Sequence, residues 1–390
     1  MIQRSNYRIL LIFLVCLAVG DLVVYCAPKA VKPVGEMDTP EHHFYTGMKF
    51  IDQGKYADAQ AEFDRAVQLD PKFSKAYAGN GLVKAYQGDF KGADESMKKA
   101  WRYAKKDEEK VFCHVGKIRI FTMGKADKDW LDDAKSQFNY AIEIDPKASS
   151  AYYFMGIAYK TALDFANAGQ MFKQVIDINR DYVKEADSEW NLTQKIQRAM
   201  PGTITGKKIA VVERITRADA AALFMEELKI DVLYKKRTIK TFDTSFKDPE
   251  KAKAAAAAAQ ATAKDIGNHP LKADIEGIIQ IGVRGLEAYP DGTFRPNDLV
   301  DRATYAMMIE DILIKMTGDN ALATKFIGST SPFPDLRPDL PYFNAVMVVT
   351  SRGIMEAKDL SSGEFAPLNP VPGVDALLII RKIKEELKIF

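Results

Sequence analysis

The sequence predicts an all-α chain built of two helical modules. Three observations predict it. Small residues recur with a period near 34 over residues 40–200, a helix-turn-helix order with a glycine-bearing turn is fullest over 265–317 and returns in weaker copies over 201–390, and strand-like alternation is confined to two short stretches. The chain has 390 residues, enough for two or three domains with sizeable cores. Apolar residues make up 47% and charged residues 28%, as in an ordinary water-soluble fold. With 55 Lys plus Arg against 53 Asp plus Glu, no strong positive field exists to gather phosphates, so nucleic acid is not an expected partner. Only Cys16, Cys26 and Cys113 occur, which excludes a disulfide framework and a four-cysteine zinc site.

Residues 1–27 have the form of an export signal. Arg4 and Arg8 precede an apolar run over 9–20, the positive start and apolar core of a secretory signal. Apolar character resumes after Asp21 as far as Cys26, and the total length nears the roughly 20 residues that span a bilayer, so an uncleaved anchor is one reading. The stretch also resembles a bacterial lipoprotein signal, because Cys26 closes the run and a spacer with Pro and Lys follows over 27–36. That resemblance implies lipidation at Cys26, in an outer-membrane lipoprotein. Cleavage elsewhere is the third reading. Each puts the body outside the cytoplasm, in the periplasm or cell envelope, behind a linker over 28–39.

The first module follows from spacing. Gly47, Gly81, Gly116 and Gly156 are 34, 35 and 40 residues apart, and Ala59, Ala93, Ala134 and Ala168 are 34, 41 and 34 apart. A period near 34 is that of a helix-turn-helix solenoid. Small residues let two antiparallel helices approach, while Phe63, Met97, Phe138 and Phe172, each four residues after its alanine, fill the adjoining hole. Pro71 and Pro146 stop one repeat and start the next. This pattern resembles the tetratricopeptide repeat. Repeats are read at 40–73, 74–107, 108–148 and 149–182, with a capping helix over 182–200 and roughly six extra residues around 123–129 in the third.

The resemblance implies a concave groove for a protein or peptide partner, lined at Phe44, Met48, Ala78, Leu82, Cys113, Lys117, Tyr153, Ile157 and Lys160. Relatives that grip a C-terminal carboxylate carry Lys and Asn at two of these positions. Here Phe44 stands with Met48 and Ala78 with Leu82, which disfavours that ligand class. Packing against neighbouring repeats is the other reading of the apolar members.

From Gly202 the period vanishes. Gly282 to Tyr289 leads into Pro290-Asp291-Gly292-Thr293-Phe294-Arg295-Pro296, a turn signature, and Asp301-Arg302-Ala303-Thr304 begins a helix. This order resembles the S-layer homology motif. Copies fall near 207–230, 265–317 and 333–386, with an alanine-rich insertion over 247–264 read as an exposed helical spacer. Alternating stretches over 207–214 and 231–240 allow a short two-stranded β-ribbon. One helix-loop-helix cannot bury a core, whereas three about a pseudo-threefold axis can, so the module is expected to be pseudo-trimeric.

The resemblance implies that cell-wall polysaccharide or peptidoglycan binds in the grooves between copies. Thr216 with Asp219 has the spacing of a capping box and Asp301 caps likewise. Arg217 and Arg302 then fall at the first helical position, where the helix dipole opposes a cation. Arginine beside unpaired helix-end amides makes an anion site, so Arg217 and Arg302 are predicted to hold an acidic group of the wall polymer. Asp219, Asp265 and Asp335 are the acidic candidates for the same surface. Copy three has Gly373 in place of the arginine, and its groove is expected to be structural.

The four histidines, His42, His43, His114 and His269, form no metal motif, and no HExxH, phosphate loop, GxSxG or dinucleotide fingerprint occurs. No catalysis, metal or cofactor is expected. The sequence therefore predicts a non-enzymatic cell-envelope scaffold, with wall polymer held by the second module and a protein partner by the first. The alternative is a periplasmic assembly or export factor, chaperoning an outer-membrane or surface-structure component.

Overall fold

The computed structural model describes residues 30–237 and 263–388. The signal segment with Cys26, the insertion over 247–262 and the end of the second alternating stretch lie outside the described residues. The chain divides into two compact units, Met1–Asp187 and Ser188–Phe390. Among the described residues it is all-α.

The first unit is a row of helical hairpins: α1 (Pro40–Asp52) with α2 (Tyr56–Leu69), α3 (Ser74–Tyr86) with α4 (Phe90–Tyr103), α5 (Asp107–Gly124) with α6 (Trp130–Ile144), and α7 (Ser149–Thr161) with α8 (Phe165–Ile178). The small residues do the expected work. A Cβ built on Gly47 or Gly79 would lie 2.6 or 2.5 Å from the Phe63 ring, and one on Gly156 would lie 2.6 Å from the ring of Phe172. Met97 serves two repeats, since Cβ atoms on Gly81 and Gly116 would meet it at 3.4 and 2.3 Å. Each large side chain thus sits in a hole that exists because the facing residue has no side chain. The third hairpin departs from the period: α5 runs five residues longer than α1 (18 against 13) and ends at Lys125, which is left-handed at φ 42°.

Helix α9 (Val183–Ala199) runs through the division, and the second unit continues with α10 (Ile204–Ala210), α11 (Arg217–Ala222) and a π-helical turn, Leu223–Glu227. Then come α12 (Ile230–Arg237), α13 (Lys272–Ile281), α14 (Arg302–Thr317), α15 (Phe343–Ser351) and α16 (Gly373–Glu386). The ribbon expectation is corrected. Residues 207–210 lie in α10 and 231–237 in α12, because alternation over so few residues is outweighed by the helix caps and the packing around them. The only strand-like pairings among the described residues are isolated bridges, Thr216 to Leu299 and Asp301 to Pro370.

Those bridges mark the centre of the second unit. Ile215 N–H donates to Val371 O at 2.9 Å, Val371 N–H to Val300 O at 3.1 Å, and Val300 N–H to Ile215 O at 3.0 Å, closing a ring of three. All three residues are buried, so no water competes for these groups. Helices α11, α14 and α16 each start one or two residues beyond the ring, at the caps Thr216, Asp301 and Pro372.

The holes of the first unit give a direct test. Gly79→Ala gains up to about 1 kcal/mol of helix propensity but overpacks the Phe63 ring, for a net loss of about 1–2 kcal/mol. Gly35→Ala, with no atom within 4 Å of its added carbon, is expected to change the urea midpoint negligibly. Equal midpoints for the two variants would show that Phe63 does not need the hole.

Candidate functional site

Of the candidate wall-binding residues, the two arginines sit where one copy meets the next. Arg217, at the start of α11 in copy one, reaches into the loop of copy two. Its Nε donates to Phe294 O at 2.8 Å and its Nη2 to Glu287 O at 3.0 Å, while Nη1 donates to Gly285 O. The guanidinium lies 4.6 Å from the Phe294 ring centre and 4.8 Å from that of Tyr289. Arg302, at the start of α14, repeats the arrangement one copy on: Nε donates to Phe365 O at 2.8 Å, Nη2 to Glu356 O at 2.5 Å, and the Phe365 ring centre is 4.5 Å away. Both arginines are buried, 6% and 5% exposed, and this burial pulls both guanidinium pKa values below the ordinary arginine value.

This corrects the expectation that these arginines and their helix ends form open anion sites. The amides are occupied as well. Arg217 N–H donates to Asp298 O and Ala218 N–H to Pro296 O; Arg302 N–H donates to Asn369 O and Ala303 N–H to Pro367 O, all between 2.9 and 3.0 Å. The next amide of each helix goes to its cap, Asp219 N–H to Thr216 Oγ1 and Thr304 N–H to Asp301 Oδ1. Arg217 and Arg302 are therefore struts that tie a helix start to a neighbouring loop. The dipole penalty noted in the sequence is offset by carbonyl oxygens and ring faces.

The acidic candidates are engaged in the same way. Asp219 accepts from Thr216 N–H and Thr216 Oγ1, both at 2.8 Å, completing the capping box. Asp265 accepts from the amides of Phe294 and Arg295 at 2.8 and 2.7 Å, and Asp335 from those of Phe365 and Ala366 at 2.9 and 2.7 Å. Although desolvation opposes it, these amides hold the Asp265 carboxyl below its usual range. Each aspartate fixes a left-handed residue, Arg295 or Ala366, both at φ 54°.

Copy three has no arginine for a spatial reason. Gly373 N–H donates to Val212 O at 2.9 Å, and a Cβ at 373 would lie 1.7 Å from Ile209 O. The end of α10 passes where a strut would stand, because copy one has no long loop for it to hold.

Sequence reasoning missed the exposed groups that the struts present. Arg295 is exposed, with its guanidinium 4.2 Å from the Tyr289 ring centre, and its Nη2 donates to Asp291 at 3.1 Å. Asp291 also accepts from Thr293 Oγ1 at 2.6 Å and Thr293 N–H at 2.9 Å, and these bonds, with Arg295, hold its carboxyl down at about 2. The signal available was the recurring Phe-x-Pro at 294–296 and 365–367, each 29 or 30 residues beyond an aspartate.

In the first unit the predicted groove is brought together only in part. Phe44, Ala78, Leu82 and Cys113 are buried in one apolar cluster against which Met48 packs, so these belong to the core and not to an open groove. The reason is the thinness of α3, whose Ala76, Ala78, Gly79, Gly81 and Ala85 let Phe44 on α1 reach Phe112 on α5, ring centres 5.3 Å apart. Lys117, Tyr153, Ile157 and Lys160 remain half-buried. Tyr153 stacks on Tyr182 with centres 4.8 Å apart and planes 9° apart.

Residues 286–306 match the family model for the S-layer homology domain, from the loop that Arg217 grips into α14. A solved structure described as "Crystal structure of YrrB: a TPR protein with an unusual peptide-binding site" matches at 19% identity, covering 40% of this chain and 93% of that chain, with a TM-score of 0.19. At that score the repeat assignment rests on the hairpins and their period. No curated protein matches the chain. The chain thus combines tetratricopeptide-type repeats with an S-layer homology motif, module types that are typically binding domains, and the latter associates it with the cell envelope.

A strut and a cap are told apart by substitution. Arg302→Ala strands the carbonyls of Phe365 and Glu356 and is expected to cost about 2–4 kcal/mol, against about 1 kcal/mol for Asp301→Ala. Gly373→Ala is expected to be at least as damaging as the first. Urea unfolding of the module reads all three, and an Arg302→Ala protein as stable as the parent would return that arginine to the solvent-facing role.

Proposed function

We propose that the protein is a non-enzymatic scaffold of the cell envelope, holding cell-wall polysaccharide or peptidoglycan through its three-copy module and a protein partner through its repeats. The observation that carries this reading is the loop over 286–296. It falls within the S-layer homology match, it is braced by Arg217 and Asp265, and it carries an exposed Arg295 over the half-buried Tyr289. An exposed guanidinium beside a half-buried aromatic ring suits a glycan that bears an acidic group, which the guanidinium can meet with charge-assisted hydrogen bonds. On this reading Arg217, Arg302, Asp219, Asp265 and Asp335 position the polymer site, and Arg295 touches the polymer.

The partner surface of the repeats is narrower than the period suggested. It consists of Lys117, Tyr153, Ile157 and Lys160, with Phe44 and Leu82 buried in core and Met48 packed against them. The membrane end of the scaffold is the N-terminal segment, through lipid on Cys26 or through a retained apolar anchor.

Sedimentation of the full-length protein with purified sacculi tests the wall assignment. Arg295→Ala is expected to weaken retention roughly ten- to a hundredfold, the worth of a charge-assisted contact of about 1.5–3 kcal/mol, with melting unchanged. Lysine at 295 restores it only in part, because an ammonium lacks the planar fork. Undiminished retention by a folded Arg295→Ala, Tyr289→Ala double variant would remove the loop from the binding surface.

A further inference from the structure

Arg119 of α5 carries a buried guanidinium that the fold leaves almost unbonded. It is 8% exposed, nearly as deep as Arg217 and Arg302, which donate to three and two backbone carbonyls. Arg119 makes one hydrogen bond among the described residues, from Nη2 to the Tyr86 hydroxyl at 3.1 Å, and no ion pair. Its Nε and Nη1 have no partner there, and neither atom is sealed from solvent. The surroundings are aromatic, with the Phe154 ring centre 4.4 Å and the Tyr86 ring centre 5.9 Å from the guanidinium. Ring faces offset part of the desolvation of a cation, but they leave the in-plane N–H groups without an acceptor.

The group adjoins the partner surface of the repeats. Phe154 is 5.1 Å from Tyr153 and 5.4 Å from Tyr182, ring centre to ring centre. Burial pushes the Tyr182 hydroxyl up and the charge of Arg119 opposes that shift, so the two groups act on each other. Three carboxylates bear on the same hydroxyl, Asp52, Asp181 and Glu185; all are exposed, and none pairs with Arg119. Water and salt screen exposed charges, whereas a buried guanidinium acts where screening is weak. A monoanion can therefore pair with Arg119, while a dianionic phosphate meets stronger repulsion from the three carboxylates. The charged members of the partner surface, Lys117 and Lys160, are both cations and favour an acidic segment.

We propose that Arg119 receives the side-chain carboxylate of a glutamate in the peptide that the repeats bind. The assignment rests on the partner-binding reading given above. The carboxylate takes the remaining N–H groups of the guanidinium, and the Tyr86 hydroxyl, which accepts from Arg119, has its own proton to donate to it. A glutamate stem carries its carboxylate in past the rings. A C-terminal carboxylate, set on a branched carbon beside the main chain, does not reach as far. Because a buried cation short of acceptors costs stability, an apolar residue of similar length would serve the fold alone at least as well.

The probe is sodium propionate, which has the carboxylate and stem of glutamate, titrated into the full-length protein at constant ionic strength while NMR follows the ring resonances of Tyr86 and Tyr182. A saturable shift is expected, weaker by roughly tenfold or more for propionamide and for Arg119→Lys, which keeps the charge and loses the planar fork. Arg119→Met should abolish the shift with melting unchanged or raised. A fall in its melting would make Arg119 a structural residue and overturn the proposal. An acetylated and amidated pentapeptide with a central glutamate should displace propionate, and its glutamine counterpart should not. Equal binding of propionamide, tighter binding of inorganic phosphate, displacement by the glutamine peptide, or displacement only by a peptide with a free C-terminus would each overturn it as well. Photo-crosslinking from position 157 scores partner capture separately. Crosslinks that persist beside silent tyrosines overturn the arginine site alone, and absent crosslinks overturn the partner reading itself.

Discussion

Three backbone amides hold the second module together. Ile215, Val371 and Val300 each donate to the carbonyl of another copy, and since all three are buried, a lost bond would leave an unpaired donor and acceptor away from water. The ring fixes where α11, α14 and α16 begin. Their first amides then point at carbonyls of the adjoining loops, and the arginines at two of the starts follow the same direction. The exposed Arg295 and the half-buried Tyr289 are held by this chain of contacts, so the surface proposed to meet the wall depends on a hydrogen-bond ring that it does not touch.

The three copies cannot be identical, for reasons of volume. Counting from the caps, Ala220, Tyr305 and Ala376 occupy equivalent positions near the axis. One tyrosine fills the centre, stacked on Phe224 with ring centres 5.6 Å apart and its hydroxyl donating to Ala376 O at 3.4 Å. Three such side chains would overfill the space that two alanines leave. The same economy appears at the interfaces, where two arginine struts meet two long loops and Gly373 meets the end of α10 directly. Copy one lacks the loop and is braced instead by Glu227, whose carboxylate accepts from Gly202 N–H, Thr203 N–H and Thr203 Oγ1.

What the sequence made legible is what local rules govern. The Gly and Ala positions at a period of 34 marked the helix crossings, and the partners of those holes were found correctly for Phe63 and Phe172, because a hole and its filler lie a fixed number of residues apart. Arg217 and Arg302 were legible as anomalies, cations at the wrong end of a helix. Their partners were not, since the carbonyls of Phe294 and Phe365 lie 77 and 63 residues away. Phe44 and Leu82 were assigned to a groove because position within a repeat says nothing of how thin the intervening helix is. The ribbon failed for a related reason: a few alternating residues read equally well as one turn of a buried helix, and only tertiary packing decides.

The second module is held to open as one unit about its amide ring. Native-state hydrogen exchange at Ile215, Val300 and Val371 measures this most directly. All three amides are expected to exchange at one slow rate that tracks global unfolding of the module in urea, and Arg302→Ala is expected to accelerate the three together. Fast exchange at Ile215 beside slow exchange at Val300 and Val371 would show that copy one opens independently, and the ring would not be what holds the loops in place.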